Sequence, residues 1–201
     1  LDAWIDEAPD PIAVIGLAHG AGAGHEHPFL VGVAQAWAAA GFTTVRFDFP
    51  YRHAGRRMPG PAAHAIETWA AVEAFCRAVA PGIPFAAAGK SYGGRMASMA
   101  AAEERIAPDA LVYLGYPLHP PGRPENARTA HLPAVTAPQL FLAGTKDPFL
   151  QPLDDLAAAV ASCRTAEVVW FDGGGHSFDV AGRKLPADQV GEATARAAGP
   201  W

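Results

Sequence analysis

Cysteine is scarce in this chain, with only Cys76 and Cys163 among 201 residues. Two cysteines so far apart build no disulfide framework, and their scarcity fits a reducing, cytoplasmic setting. Cys76 falls on the apolar side of a helical pattern, which predicts a buried, inert thiol. Long hydrophobic runs are also missing. None reaches the roughly 18 apolar residues of a membrane span, so no membrane association is expected. Positive charge is not in excess either: the net charge is −5 and the pI near 5.9. A general nucleic-acid binder needs a broad cationic surface, so no nucleic-acid partner is expected. The opening LDAWIDEAPDP is acidic and broken by prolines, unlike a secretory leader. There is no internal repeat and no low-complexity tail.

What is present points to a folded α/β protein. Half the residues are hydrophobic and 17% are charged, a soluble globular composition. The length predicts one domain over residues 1–201 with a sizeable core. Apolar runs at 12–19, 43–49, 84–89, 110–116, 139–144 and 167–172 read as strands. Helical patterns at 28–40, 62–80, 92–104, 153–162 and 186–198 alternate with them. In the second of these, Ile66, Trp69, Val72, Cys76 and Val79 recur at helical spacing. Strand–helix alternation with continuously apolar strands predicts a mostly parallel sheet covered by helices on both faces. Ligands of such sheets bind beyond the carboxyl ends of the strands, so the loops after each strand carry the functional information.

The stretch FAAAGKSYGGRM, residues 85–96, fits two chemistries at first sight. A phosphate loop needs G-x-x-x-x-G-K-[ST]. Here the first glycine position is Pro84, and Phe85 to Ala88 belong to an apolar strand, so no phosphate loop forms. A nucleophile elbow, G-x-S-x-G, fits instead. The strand delivers Ser91 to a sharp turn, Gly89 and Gly93 give clearance, and a helix begins at once. The plain alternative is a serine capping an ordinary helix.

The partners of Ser91 decide between these. In this architecture an acid and a histidine follow the serine in that order. Asp147 follows the strand QLFLAG, and His176 follows EVVWFD on the glycine run GGGHSF. Both are therefore placed on the edge of the sheet that holds Ser91. Asp172 is the competing acid, but it ends the strand leading to His176, and four residues leave a poor path for doubling back. An oxyanion hole needs two amides. Tyr92 N–H is the first, and the second is expected from the loop HGAGAG at 19–24, with Ala21 preferred and Gly22 next. The same loop mimics a dinucleotide fingerprint, with Asp48 as the acid. However, the third glycine position is His25. His25-Glu26-His27 lacks a third ligand at metal-binding spacing, so no metal is expected.

These residues resemble the α/β-hydrolase superfamily, in particular its small cap-less branch related to dienelactone hydrolases and to testis-expressed-protein-type hydrolase-like domains. The resemblance lies in LAHGAGAG (17–24), VRFDFPYR (45–52), AGKSYGGRM (88–96), LGYPLHPPGRPENAR (114–128), LAGTKDPF (142–149) and GGGHSF (173–178). It implies an α/β-hydrolase fold without a cap and a serine hydrolase of carboxylic esters with no cofactor. Dienelactone hydrolases proper carry a cysteine where this chain has Ser91. The branch also holds scaffolds, which leaves a hydrolase-like interaction module with an unused triad as the alternative. A thioesterase or amidase would use the same triad.

Residues 117–138 take the place of a cap and are too few and too proline-rich for a helical lid. A shallow, open site suited to a small or short-acyl ester is expected. In this connection His119, Arg123 and Arg128 either line the site or solvate the loop. Arg52, Arg56 and Arg57 read as a solvated or salt-bridged basic turn in preference to an anion-binding rim. Lys90 has no assigned role, and the oligomeric state is not encoded in any pattern.

Overall fold

The structure, a computed structural model, describes residues 2–183, 185–199 and 201. Its centre is a seven-stranded sheet of order β1-β3-β2-β4-β5-β6-β7. The strands are β1 (Ala3–Asp6), β2 (Ala13–Ala18), β3 (Phe42–Phe47), β4 (Phe85–Lys90), β5 (Ala110–Leu114), β6 (Gln139–Gly144) and β7 (Ala166–Phe171). All neighbours run parallel except β1, which pairs antiparallel with β3 at the edge. The helices are α1 (Pro28–Ala39), α2 (Pro50–His53), α3 (Ala62–Val79), α4 (Tyr92–Ala102), α5 (Leu153–Ser162) and α6 (Ala187–Ala198).

The central strands are apolar because both faces are covered. Every residue of β4, FAAAGK, is buried. One face carries the core of Trp69, Val72, Met96 and Phe141 under α3, α4 and α5. The other carries Leu30, Val33, Trp37 and Val190 under α1 and α6. Small residues let these layers close up. A Cβ on Gly16 of β2 would come within 2.8 Å of Val72 on α3. Cys76 is buried in α3 and burial pushes its thiol up to about 12, which makes it the inert core residue expected.

The fold departs from the sequence expectation in a few places, each with a local cause. The acidic start contains β1, which pairs as a strand with β3 at the sheet edge and keeps Trp4 and Ile5 partly exposed. An edge strand of four residues has no continuous apolar run to announce it. Strand β3 stops at Phe47 rather than at residue 49, because Asp48 turns to bind His25 and Pro50 opens α2. Strand β5 stops at Leu114 rather than at residue 116, because Gly115 adopts a left-handed conformation with φ 68°.

The parallel register brings the carboxyl ends of β2, β4, β5, β6 and β7 to one rim. Ala18 pairs with Gly89, Lys90 with Leu114, Leu114 with Leu142, and Gly144 with Phe171. The loops beginning at His19, Ser91, Gly115, Thr145 and Asp172 therefore share that rim.

Candidate active site

Ser91 stands between β4 and α4 with φ 49° and ψ −112°, a conformation that an L-residue holds only under strain. Its side chain caps no amide of α4, so it is not an ordinary N-cap. Three glycines make the turn sterically possible. A Cβ on Gly89 would overlap the backbone of Gly93 and Gly94, and one on Gly93 would sit 2.6 Å from the carbonyl oxygen of His19. A Cβ on Gly94 would sit 2.6 Å from the carbonyl oxygen of Gly89. Strand and helix thus meet backbone to backbone, and Ser91 is projected from the crossing.

The acid and the histidine lie on the neighbouring loops. Asp147 is fully buried. Its Oδ1 accepts Phe149 N–H at 2.9 Å, and its Oδ2 accepts from His176 Nδ1 at 2.7 Å. A carboxylate facing Nδ1 places the proton there and leaves Nε2 as the free base. Phe149 covers the imidazole, with ring centroids 4.3 Å apart. Burial lowers the pKa of His176; the Asp147 bond opposes that shift and the charge of Lys90 reinforces it. Asp172, the competing acid, is instead engaged by the Thr145 hydroxyl at 3.3 Å.

Gly115 links this pair to the elbow. Ser91 N–H donates to Leu114 O at 3.1 Å. A Cβ on the adjacent Gly115 would lie 3.4 Å from His176 Nδ1. Ser91 and His176 therefore flank the same strand end, although no hydrogen bond joins Ser91 Oγ to the imidazole among the described residues.

The loop 19–24 closes the other side. A Cβ on Gly20 would lie 3.7 Å from Ser91 Cβ. Gly20 to Ala23 form a turn closed by Ala23 N–H to Gly20 O at 3.2 Å, with Gly22 at φ 79°. Neither Ala21 N–H nor Gly22 N–H donates to a backbone carbonyl among the described residues. Tyr92 N–H belongs to the first turn of α4, where amides have no intrahelical partner and the helix dipole favours negative charge. His19 fixes this loop from below. Its Nδ1 donates to Gly20 O at 2.8 Å and its Nε2 accepts Phe49 N–H at 3.2 Å. The buried His19 ring was legible only as part of a motif, since nothing in its spacing reveals the two backbone bonds.

The remaining candidates separate. His119 is fully buried, bonds Pro120 O through Nδ1 at 2.8 Å, and lines a cavity of about 370 Å³ beside Asp155 and Ser162 of α5. Buried in this way, it does not solvate its loop. Arg123 is exposed. Arg128 is partly buried, with burial and the nearby Arg95 both lowering its pKa. His25 bonds Asp48 Oδ2 at 3.0 Å and stacks on Trp4, and His27 caps α1, so both have structural partners. Arg56 lines a cavity of about 210 Å³ between Tyr51, Pro61, Ala65 and Tyr92, next to the elbow. A cavity of about 760 Å³ lies at the amino ends of the strands beside Ala13, Phe85, Ala110 and Thr165, away from this chemistry. Residues 117–138 hold only a short 3-10 turn at Leu132–Ala134. No helix among the described residues is long and apolar enough to cross a membrane.

Comparisons with known proteins agree with this architecture. The family model for an alpha/beta hydrolase domain matches residues 11–198. The solved structure of Est1E from Butyrivibrio proteoclasticus with bound ferulic acid has a TM-score of 0.77 at 19% identity, covering 99% of this chain and 94% of its own. An α/β serine hydrolase without lid from Xanthomonas campestris has a TM-score of 0.73 at 19% identity, covering 100% and 88%. A dienelactone hydrolase from Anabaena variabilis has a TM-score of 0.66 at 21% identity, covering 96% and 88%. No curated protein matches the chain in sequence.

Proposed function

Because this chain belongs to the alpha/beta hydrolase domain family, we propose that it is a serine hydrolase of small or short-acyl carboxylic esters, acting through Ser91, His176 and Asp147 as one domain. The observation that carries this is the partly buried 2.7 Å bond from His176 Nδ1 to Asp147, beside a strained serine that caps nothing. His176 Nε2 takes the proton of Ser91 Oγ as that oxygen attacks the ester carbonyl carbon. The tetrahedral oxyanion is held by the amides of Tyr92 and Ala21, with Gly22 as the next donor. The C–O bond to the alcohol breaks, and His176 returns the proton to the departing alkoxide. Water, deprotonated by His176, then attacks the acyl-enzyme, and the acid leaves as Ser91 regains its proton. No cofactor enters this sequence.

Two features of access support the substrate class. The 210 Å³ cavity beside Tyr92 is smaller than the roughly 300–1,000 Å³ that holds drug-sized ligands. The connection over the rim contains no helical lid. A short acyl chain suits both features better than a long lipid. Thioesters and activated amides would meet the same groups. Turnover of p-nitrophenyl acetate by the purified protein, compared with Ser91→Ala, tests the proposal. Activity that vanishes in folded Ser91→Ala is expected, and activity retained there removes Ser91 from the chemistry. A wild-type protein with no turnover on any ester, thioester or amide favours the interaction module.

A further inference from the structure

Lys90 immediately precedes Ser91, and no step of acyl transfer uses it. Its side chain is nonetheless buried at the rim, with only 9% of the residue exposed. The Nζ atom lies 5.8 Å from the centroid of the Phe29 ring and 3.3 Å from where a Cβ on Gly115 would stand. From there it donates to the main-chain carbonyl oxygen of His176 at 2.8 Å. A buried ammonium costs several kcal/mol unless it is well partnered, and a methionine of similar length would fill the same space without that cost. Filling space therefore does not account for a cation here.

We propose that Lys90 is a positioning residue: its ammonium latches the main chain of His176 to the strand that carries Ser91. This rests on the serine-hydrolase function proposed above. The His176 loop has little stiffness of its own, since Gly173, Gly174 and Gly175 precede the histidine and Gly173 is left-handed at φ 69°. Bonds to neighbouring strands must place it. Lys146 N–H holds Gly174 O at 2.9 Å, Asp147 holds the imidazole, and Lys90 holds the carbonyl of His176 itself. One peptide bond separates Lys90 from the nucleophile, so the latch ties base to nucleophile by a short path.

The charges around the pair are few. Asp147 and Asp179 face Lys90, and burial draws the ammonium down to about 7. Asp147, Asp179 and Lys90 face His176; the two carboxylates favour the imidazolium and Lys90 opposes it. Replacing Lys90 by a neutral side chain therefore raises the pKa of His176. The acidic limb of the kcat/KM profile moves to higher pH with it.

The experiment combines the nuclear magnetic resonance titration of the His176 ring with pH–rate profiles on p-nitrophenyl acetate, for the wild type, Lys90→Met and Lys90→Arg. Lys90→Met is expected to shift both the titration and the acidic limb upward. Its plateau kcat falls about ten- to a hundredfold with KM nearly unchanged, as for a misplaced catalytic group. Lys90→Arg, which keeps charge and donor, restores the wild-type titration. Should Lys90→Met fail to fold, Lys90→Gln removes the charge and carries the same titration prediction. A wild-type titration in the neutral variants overturns the proposal, even if activity is lost, because removing an ammonium held against the His176 main chain must change the titration of its ring. The titration needs no turnover: an inert wild type with the shift intact overturns the hydrolase function and leaves the latch standing.

Discussion

At the residue scale, the site depends on three geometric details: a serine with positive φ, a carboxylate at Nδ1 of the histidine, and a turn in loop 19–24 whose Ala21 and Gly22 amides bond no backbone carbonyl among the described residues. Asp147→Asn keeps the size of the side chain but presents a donor to Nδ1, which favours the wrong tautomer. A loss in kcat of about 10⁴ is expected, measured on p-nitrophenyl acetate with circular dichroism confirming the fold. Removing one oxyanion donor typically costs about 3 to 4 kcal/mol of transition-state stabilisation. The wild-type profile carries a second signature. Burial and Lys90 lower the pKa of His176, so the acidic limb of kcat/KM is expected below the ordinary histidine value of 6.5. Activity is lost as pH falls through that limb, because the protonated imidazole can accept no proton from Ser91. A limb above 6.5 would mean that Asp147 dominates over burial.

Among elements, the close approach of backbones sets what can change. α1 and α6 pack through Gly32 and Gly191, and a Cβ on Gly191 would overlap the carbonyl of Gly32. Alanine in a helix interior gains up to about 1 kcal/mol over glycine. Overpacking costs about 1–3 kcal/mol, and here the obstacle is backbone that cannot rotate away. Gly191→Ala is therefore expected to lower the thermal midpoint, by roughly 2–4 °C per kcal/mol lost, in differential scanning calorimetry. An unchanged or raised midpoint would mean that the helices separate freely. The strands of this sheet were legible because burial on both faces makes them continuously apolar, as in AVIGLA and QLFLAG. The elbow was legible because its sterics demand glycine at fixed offsets. β1 and α2 were not, since four-residue elements carry too short a pattern. The burial of His119 was hidden as well: a histidine among prolines and arginines looks solvated until Phe149 and α5 are seen to cover it. The role of Lys90 was hidden for another reason. Its acceptor is a backbone carbonyl 86 residues away, and no residue type announces such a bond.

Over the whole molecule, three wholly or partly buried histidines, His19, His131 and His176, have lowered pKa values, which links stability to pH. Burial and the neighbouring Arg95 lower His131 to about 4, while its ring bonds Ser98 Oγ at 2.7 Å. Burial lowers His19 and His176 in the same direction. The folded-state pKa lies below the unfolded one, so the unfolded chain binds more protons between these values. The stabilisation is fully present above about pH 6.5 and is lost as pH falls toward 4. His131→Gln is expected to flatten the difference between urea midpoints at pH 7 and pH 5 relative to the wild type. An equal slope in both proteins would show that His131 is not neutral in the fold. The rim without a helical lid makes a further demand on the whole molecule. Within a series of p-nitrophenyl esters, kcat/KM is expected to fall as the acyl chain lengthens beyond a few carbons, and a preference for long chains contradicts a small, open site.

The measurement that bears most directly on the central claim is intact and peptide mass spectrometry after incubation with a fluorophosphonate. Phosphonylation of Ser91 is expected, with fluoride leaving as Oγ bonds phosphorus, and with labelling lost in Ser91→Ala and strongly slowed in Asp147→Asn. Folded protein that takes up no label, or takes it up at a residue other than Ser91, contradicts a nucleophilic serine at the β4–α4 turn.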